Sequence, residues 1–208
     1  MSFHHQPQGI SWARWPVRHP DFYAYTAIHS YPHNSRFNPR FLAQEAKKAR
    51  VALRAYLKTN GRPKHKWPGA LSALKVPGES MIYFASTIKG PGTVPGLAAE
   101  ALNIHPHVME ALRDQRGMGT QHRFMGKCAE IMVMHLWFQQ SCDRCLPTNG
   151  KLIVTVNVRR GSIMAPCDAI PDSLGDPQRD CKKFLTKIGF VIELEVVCKR
   201  LDNTDEPL

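Results

Sequence analysis

The sequence lacks an apolar run approaching the roughly 18–20 residues needed to cross a bilayer, so we expect no membrane-spanning helix. Residues 1–20 contain histidines, prolines and arginines but no apolar core segment, which argues against a secretory signal. Six cysteines in 208 residues are too sparse for a disulfide scaffold and, without such a signal, favour free thiols or metal ligands. We therefore expect a cytoplasmic or nuclear protein without a membrane partner.

Acidic residues are also scarce, with 17 Asp and Glu against 28 Lys and Arg, which gives a net charge of +11. Such an excess favours a polyanionic partner, namely a nucleic acid, a nucleotide or an acidic surface. The hydrophobic fraction of 43% excludes a disordered composition. The length fits one domain with a substantial core.

Internal repeats are absent, and residues 1–38 show no clean hydrophobic period. This stretch mixes prolines and histidines with aromatic residues, so it predicts an irregular N-terminal arm. The arm would lie on the core or, through neighbours such as Arg14 and Trp15, stack on bases. We expect one domain at residues 39–198 and a polar tail at residues 199–208.

The hydrophobic periodicity predicts three helices that alternate with three strands, and this order is typical of a layered α/β fold. Helices are terminated by Asn-Gly or Pro, and strands are short apolar runs between turn residues. The predicted elements are a helix from Pro39 to about Asn60, a strand at Met81–Ala85, a helix at Cys128–Gln140, a strand at Leu152–Val158, a helix at Cys181–Lys187 and a strand at Phe190–Val197.

Three cysteines coincide with predicted junctions into helices: Cys128, Cys167 and Cys181. A thiolate is stabilised at a helix N-terminus by the unpaired N–H groups and the helix dipole. Three thiolates could therefore hold one Zn²⁺ and leave the fourth position open for water. Glu130, two residues after Cys128, would move the proton of that water, whose pKa zinc lowers toward about 7. Zinc deaminases use such a non-ligand glutamate.

These segments resemble the cytidine-deaminase superfamily. The resemblance rests on Gly-Lys-Cys-Ala-Glu-Ile at residues 126–131, the strand after it, and Ala-Pro-Cys at residues 165–167. Ser-Thr-Ile-Lys-Gly at residues 86–90 and His-Pro-His-Val at residues 105–108 are similar to the YwqJ-like deaminases. That family comprises toxin-type or nucleic-acid and nucleotide deaminases, and the likeness covers roughly residues 40–197.

The resemblance implies a cytidine deaminase-like three-layer α/β/α fold with a mixed central sheet and zinc between two helix N-termini. It further implies a zinc-dependent hydrolase that removes a nucleobase amino group in a nucleotide or nucleic acid. Ser86, Lys89 and Pro166 would contact the substrate, although a capped turn and a surface lysine explain the first two equally well. Two alternatives remain: a deaminase of a small metabolite, or a catalytically inactive basic binding module with the same fold.

The chain departs from the family pattern Pro-Cys-x-x-Cys at its second cysteine. Ile170 stands three residues after Cys167, and the next cysteine is Cys181. We interpret the intervening residues as an inserted loop, because each doubling of loop length costs only about 0.6 kcal/mol of closure entropy.

Cys142 and Cys145 form a rival Cys-x-x-Cys pair with the spacing of half a zinc site. One predicted helix separates them from Cys128, and 14 residues of helix span about 21 Å, much longer than a Zn–S bond. The pair therefore belongs to a second metal, to redox chemistry or to an ordinary loop. Cys198, at the end of the last predicted strand, fits a small core residue.

Overall fold

The computed structural model describes residues 10–16, 23–32, 37–89, 105–110, 128–140, 150–164, 170–171, 177–178 and 185. Its strands are β1 (Ala13–Pro16), β2 (Tyr23–Ser30), β3 (Ala70–Lys75), β4 (Met81–Ser86), β5 (Leu152–Asn157) and β6 (Ile163–Met164). These six form one sheet in the order β1-β2-β4-β3-β5-β6, and each neighbouring pair is antiparallel. The main helices are α1 (Pro39–Thr59) and α2 (Ala129–Gln139), with a short 3-10 helix at Lys64–Lys66 and a helical segment at residues 106–110.

The prediction of an irregular arm is wrong for two segments of residues 1–38, because β1 and β2 belong to the sheet. Tyr23, Tyr25 and Ala27 are buried on one face of β2, and this alternation is the strand period. Prolines and histidines around the segment obscure that period in the sequence. Residues 1–9, 17–22 and 33–36 of the predicted arm, and the whole predicted tail, lie outside the described residues.

Strand β3, like β1 and β2, is an element that the periodicity did not predict. Its sequence, Ala-Leu-Ser-Ala-Leu-Lys, consists mainly of helix formers, yet it pairs with β4 on one side and β5 on the other. All six of its residues are buried. Pairing along both edges therefore overrides the intrinsic preference of this segment.

Helix α1 begins and ends where the sequence predicts. The side chain of its N-cap Asn38 accepts a hydrogen bond from the Phe41 N–H at 2.8 Å, and Pro39 occupies the first turn. Asn60 caps the other end, and Gly61 follows with a positive φ of 62°. The apolar stripe of α1 packs on one face of the sheet in a cluster with residues such as Leu71, Phe84 and Val154.

Helix α2 packs on the opposite face of the sheet. Every residue from Ala129 to Phe138 is buried, so this helix has no solvated stripe, in contrast to α1. Its apolar side chains form a separate cluster with Leu74, Tyr83 and Ile153. One helix on each face of the sheet gives the described residues an α/β architecture in three layers.

The expected α/β class is confirmed, and the predicted helix and strand at Cys128–Gln140 and Leu152–Val158 are present with ends shifted by at most one residue. The resemblance implies a mixed sheet, whereas the described strand pairs are all antiparallel. A second sheet pairs β7 (Ile170–Pro171) with β8 (Pro177–Gln178) inside the predicted inserted loop. The predicted strand at residues 190–197 lies outside the described residues. Among the described helices, none has both the length and the apolar character required to span a bilayer.

Leu53 tests the contribution of α1 to the core, because its side chain is fully buried against the sheet. We expect Leu53→Ala to lower the free energy of unfolding by about 2–5 kcal/mol through lost apolar burial and a residual cavity. The matched control is Val51→Ala on the same helix, where the side chain is 61% exposed. The control should change stability by less than about 0.5 kcal/mol in urea denaturation. Equal effects of both substitutions would contradict this packing.

Candidate functional site

Cys128 is the N-cap residue of α2, as the sequence predicts. Its backbone is extended (φ −67°, ψ 148°), and its carbonyl accepts the first hydrogen bond of the helix, from Met132 N–H at 3.1 Å. The residue is 6% exposed and forms no disulfide. Its thiol therefore lies at the N-terminal end of a buried helix, which is the positive end of the helix dipole.

Glu130 lies in the first turn of α2 and is the acidic residue of that turn. Its Oε1 accepts a hydrogen bond from the Thr155 hydroxyl at 2.8 Å, and the Thr155 Oγ1 lies 2.7 Å from the Ser72 Oγ. Thr155 and Ser72 are cross-strand partners in β5 and β3. The carboxylate is thus anchored to the sheet by two buried hydroxyls in series.

Burial is the main influence on the pKa of the Glu130 carboxyl. Burial raises the pKa of the Glu130 carboxyl above its ordinary value. Hydrogen bonds from its own backbone N–H and from the Thr155 hydroxyl act in the opposite direction, and they are the weaker causes. A carboxyl in this position holds a proton more readily than one in water, which is a property of general acid–base groups.

Thr155 and Ser72 are members of the site that the sequence did not predict. Each is a hydroxyl residue within an apolar strand, on the face that packs against α2. The available signal was a small polar residue interrupting each apolar run. That signal does not identify the partner of either hydroxyl, because Ser72 and Thr155 are 83 residues apart along the chain.

The remaining proposed ligands, Cys167 and Cys181, lie outside the described residues, as do Pro166, Cys142, Cys145 and Cys198. Within the described ranges, no group of three His, Cys, Asp or Glu side chains is arranged to hold a metal ion. The structure therefore places one predicted ligand and the predicted proton carrier together at the start of α2. The composition of a complete metal site stays a prediction.

Ser86 and Lys89, two predicted substrate contacts, lie at the end of β4. The Ser86 side chain is buried; it accepts a hydrogen bond from Tyr25 N–H at 2.9 Å and donates one to the Thr87 carbonyl at 3.1 Å. The bond from Tyr25 joins β2 to β4 and gives Ser86 a structural role. Lys89 is half-buried, and its backbone forms two bonds of 2.9 Å with Tyr23. Its predicted contact with substrate is not tested by these bonds.

A histidine group lies farther along α2. His135 Nδ1 accepts a hydrogen bond from the His105 backbone N–H at 2.9 Å, so the imidazole is neutral with its proton on Nε2. The His105 ring stacks on Phe138 with centroids 4.7 Å apart, and His107 lies 5.3 Å from His105. Burial, with a smaller effect of His105, lowers the pKa of His135 to about 4.

The orientation of α2 follows from polar contacts near its two ends. Glu130 is bonded to Thr155 in the middle of the sheet, whereas the Trp137 indole N–H donates to Glu79, in the β3–β4 turn, at 2.9 Å. Tyr83 also donates to Glu79, and Lys151 lies over the Trp137 ring at 5.2 Å. The N-terminus of α2 therefore points away from the β3–β4 turn, toward the end of the sheet at which strands β4 and β5 finish.

Comparison of the chain with protein-family models, with curated proteins and with solved structures finds no significant match to any of them.

His135 should make the fold sensitive to acid. Its folded-state pKa of about 4 lies below the ordinary value of 6.5, so its stabilising contribution is complete above about pH 6.5 and is lost as the pH falls toward 4. His135→Asn keeps an acceptor for the His105 N–H but does not ionise. Between pH 7 and 4, we expect wild-type protein to lose roughly 2–3 kcal/mol more unfolding free energy than this variant in urea titrations. Equal losses in the two proteins would show that His135 does not titrate as described.

Proposed function

We propose that this chain is a zinc-dependent hydrolytic deaminase that removes the amino group of a nucleobase in a nucleotide or nucleic acid. Glu130 moves the proton, and Cys128, Cys167 and Cys181 hold the metal. The cytidine deaminase-like fold with a mixed sheet, and membership of the YwqJ-like family, are parts of the same proposal.

The observation that carries this proposal is the buried Glu130 carboxylate two residues after a thiol, at the start of a buried helix. An unligated carboxylate inside a protein costs several kcal/mol unless hydrogen bonds compensate it. Thr155 and the Glu130 backbone N–H supply such bonds without neutralising the group. A retained acid at this position fits proton transfer better than it fits stabilisation of the helix alone.

Deamination requires a water oxygen to bond to the ring carbon while the carbon–nitrogen bond breaks and ammonia leaves. Zinc, when bound by the three thiolates, would acidify that water. Glu130 would accept one water proton at its carboxylate and deliver it to the ring nitrogen, and would then carry the second proton, from the hydroxyl on the ring carbon, to the departing amine. Thr155 and Ser72 orient Glu130 by fixing one of its carboxylate oxygens.

The β7–β8 pair supports Cys167 and Cys181 as ligands of one metal. Ile170 pairs with Gln178, and Pro171 pairs with Pro177. Cys167 precedes this ladder by three residues, and Cys181 follows it by three residues. An insertion closed by its own antiparallel pairing brings its two flanks together, so 13 intervening residues do not prevent a shared zinc.

In the alternative, an inactive binding module, Glu130 would have a different role. There, Glu130 would serve only to stabilise the helix N-terminus, an effect of about 0.3–1 kcal/mol. A metabolite deaminase would retain the chemistry and lose the preference for phosphate-bearing substrates. Ammonia release measured across nucleosides, nucleotides, single strands and duplexes distinguishes these functions from the proposed one.

We expect purified protein to contain one zinc ion per chain, measured by elemental mass spectrometry. Cys128→Ala, Cys167→Ala and Cys181→Ala should each remove it, because three thiolates complete the site. The controls are the double variant Cys142→Ala/Cys145→Ala and the single variant Cys198→Ala, both of which should keep the metal. Full zinc content in Cys181→Ala, or its loss in the double variant, would show that the ligands are assigned wrongly.

Glu130→Gln should reduce turnover by roughly 10²- to 10⁴-fold, the usual range for a general acid–base group. The amide preserves the shape of the side chain and can still accept from Thr155 but does not shuttle the proton. Zinc content should be unchanged. Glu110→Gln is the matched control, because Glu110 is exposed at the end of the helical segment at residues 106–110. Near-normal turnover of Glu130→Gln, or no ammonia release from any substrate by zinc-loaded wild type, would refute the proposed mechanism.

A further inference from the structure

Positive charge is concentrated at one end of the sheet, where strands β4 and β5 finish. Here the C-terminal end of α1, the 3-10 helix and the turn from β5 to β6 meet. We call the six cationic side chains of these segments the basic edge: Lys58, Arg62, Lys64, Lys66, Arg159 and Arg160. Arg62 is half-buried and the other five are exposed.

Hydrogen bonds hold the segments of the basic edge together. Arg159 donates to the Lys64 carbonyl at 3.3 Å. Arg50 of α1 donates to the carbonyls of Val158 at 3.0 Å and Arg159 at 3.1 Å. Gly161 has a φ of 84°, and a Cβ there would lie 2.9 Å from the Arg50 guanidinium carbon. The turn is therefore packed around Arg50. The cations of the basic edge thus lie on segments that are bonded to one another.

The positive charge of the basic edge is uncompensated within the part of the chain that the structure describes. Residues 50–75 and 150–164 contain no Asp or Glu, and no described carboxylate lies within ion-pair distance of the six side chains. Of the four described acids, Glu45 bonds to Tyr31 and Glu79 lies in the β3–β4 turn, so both are at the other end of the strands. Glu130 is buried and bonded to Thr155, and Glu110 lies at the end of the helical segment at residues 106–110. A rigid surface of one sign attracts a polyanion.

The basic edge adjoins the candidate site. Thr155 lies two residues before the end of β5 at Asn157, and Arg159 lies in the turn that follows this strand. The N-terminus of α2, with Glu130, points toward the same edge. A base held at Glu130 and phosphates held at Arg159 and Arg160 can therefore belong to one continuous strand.

We propose that the basic edge binds the sugar–phosphate backbone of a single-stranded nucleic acid, and that this strand presents its base to Glu130. The second clause rests on the proposed function, whereas the phosphate contact does not. A membrane surface fits less well, because Val51 is the only large apolar side chain that is exposed among the described residues, and a membrane-binding face requires apolar residues that insert.

The test measures binding of a fluorescent single-stranded oligonucleotide by anisotropy, with the full chain, from about 50 to about 200 mM salt. Lys64→Gln/Arg160→Gln removes two exposed cations of the basic edge. Arg40→Gln/Lys47→Gln is the matched control: it removes the same charge from the other half of α1, where both side chains are also exposed. We expect the first variant to bind on the order of ten-fold more weakly and to lower the salt slope by about 0.7 per lost phosphate contact. The control should change affinity less than about two-fold.

Equal weakening in both double variants would overturn the proposal, because it would show attraction by the overall charge alone. It would also be overturned if the edge variant lost binding to phosphatidylserine vesicles and kept binding to the oligonucleotide. The same titration with Glu130→Gln separates this inference from the enzyme. If Glu130→Gln binds the oligonucleotide as tightly as wild type but does not turn it over, the basic edge is supported independently of the proposed reaction. If the edge variant turns over the oligonucleotide and its salt slope is unchanged, the basic edge is overturned and the proposed reaction is not.

Discussion

The burial of α2 on all sides is the constraint on which the candidate site depends. A helix without a solvated stripe keeps its carboxylate out of bulk water, so the hydrogen-bonding partners of Glu130 must come from the protein. The sheet supplies the partner through Thr155, which in turn is bonded to Ser72. Both hydroxyls face α2 only in the observed register of β3 and β5. A slip of β5 by one residue would turn Thr155 to the α1 side and leave the carboxylate without its partner.

The elements that the sequence predicted share one property: each is a continuous run with recognisable ends. Helix α1 has Asn38 before it and Asn60-Gly61 after it, and β4 and β5 are apolar runs between turns. Strand β3 has the composition of a helix and becomes a strand because partners on both sides fix it. Such pairing is a property of the assembled sheet, and no local window of sequence contains it.

The same distinction applies to the candidate site. Cys128 and Glu130 are two residues apart in sequence, and a helix start positions both, so the structure places them where the sequence predicts. Thr155 and Ser72 meet each other, and Thr155 meets Glu130, only after distant strands have paired. Their identification required the three-dimensional arrangement. The basic edge likewise combines the end of α1 with the β5–β6 turn, 108 residues apart at the Arg50–Val158 bond.

The order of strands also bears on how the molecule folds. Strands β3 and β4 are joined by a short turn, whereas β3 and β5 are 83 residues apart at the Ser72–Thr155 pair. Closing a flexible loop of that length costs about 4 kcal/mol of chain entropy before the new contacts compensate it. Non-local pairing of this kind is slow and follows local pairing. We therefore expect the β3–β4 hairpin to form early and the environment of Glu130 to assemble late, so that this carboxylate remains hydrated in any folding intermediate that lacks β5.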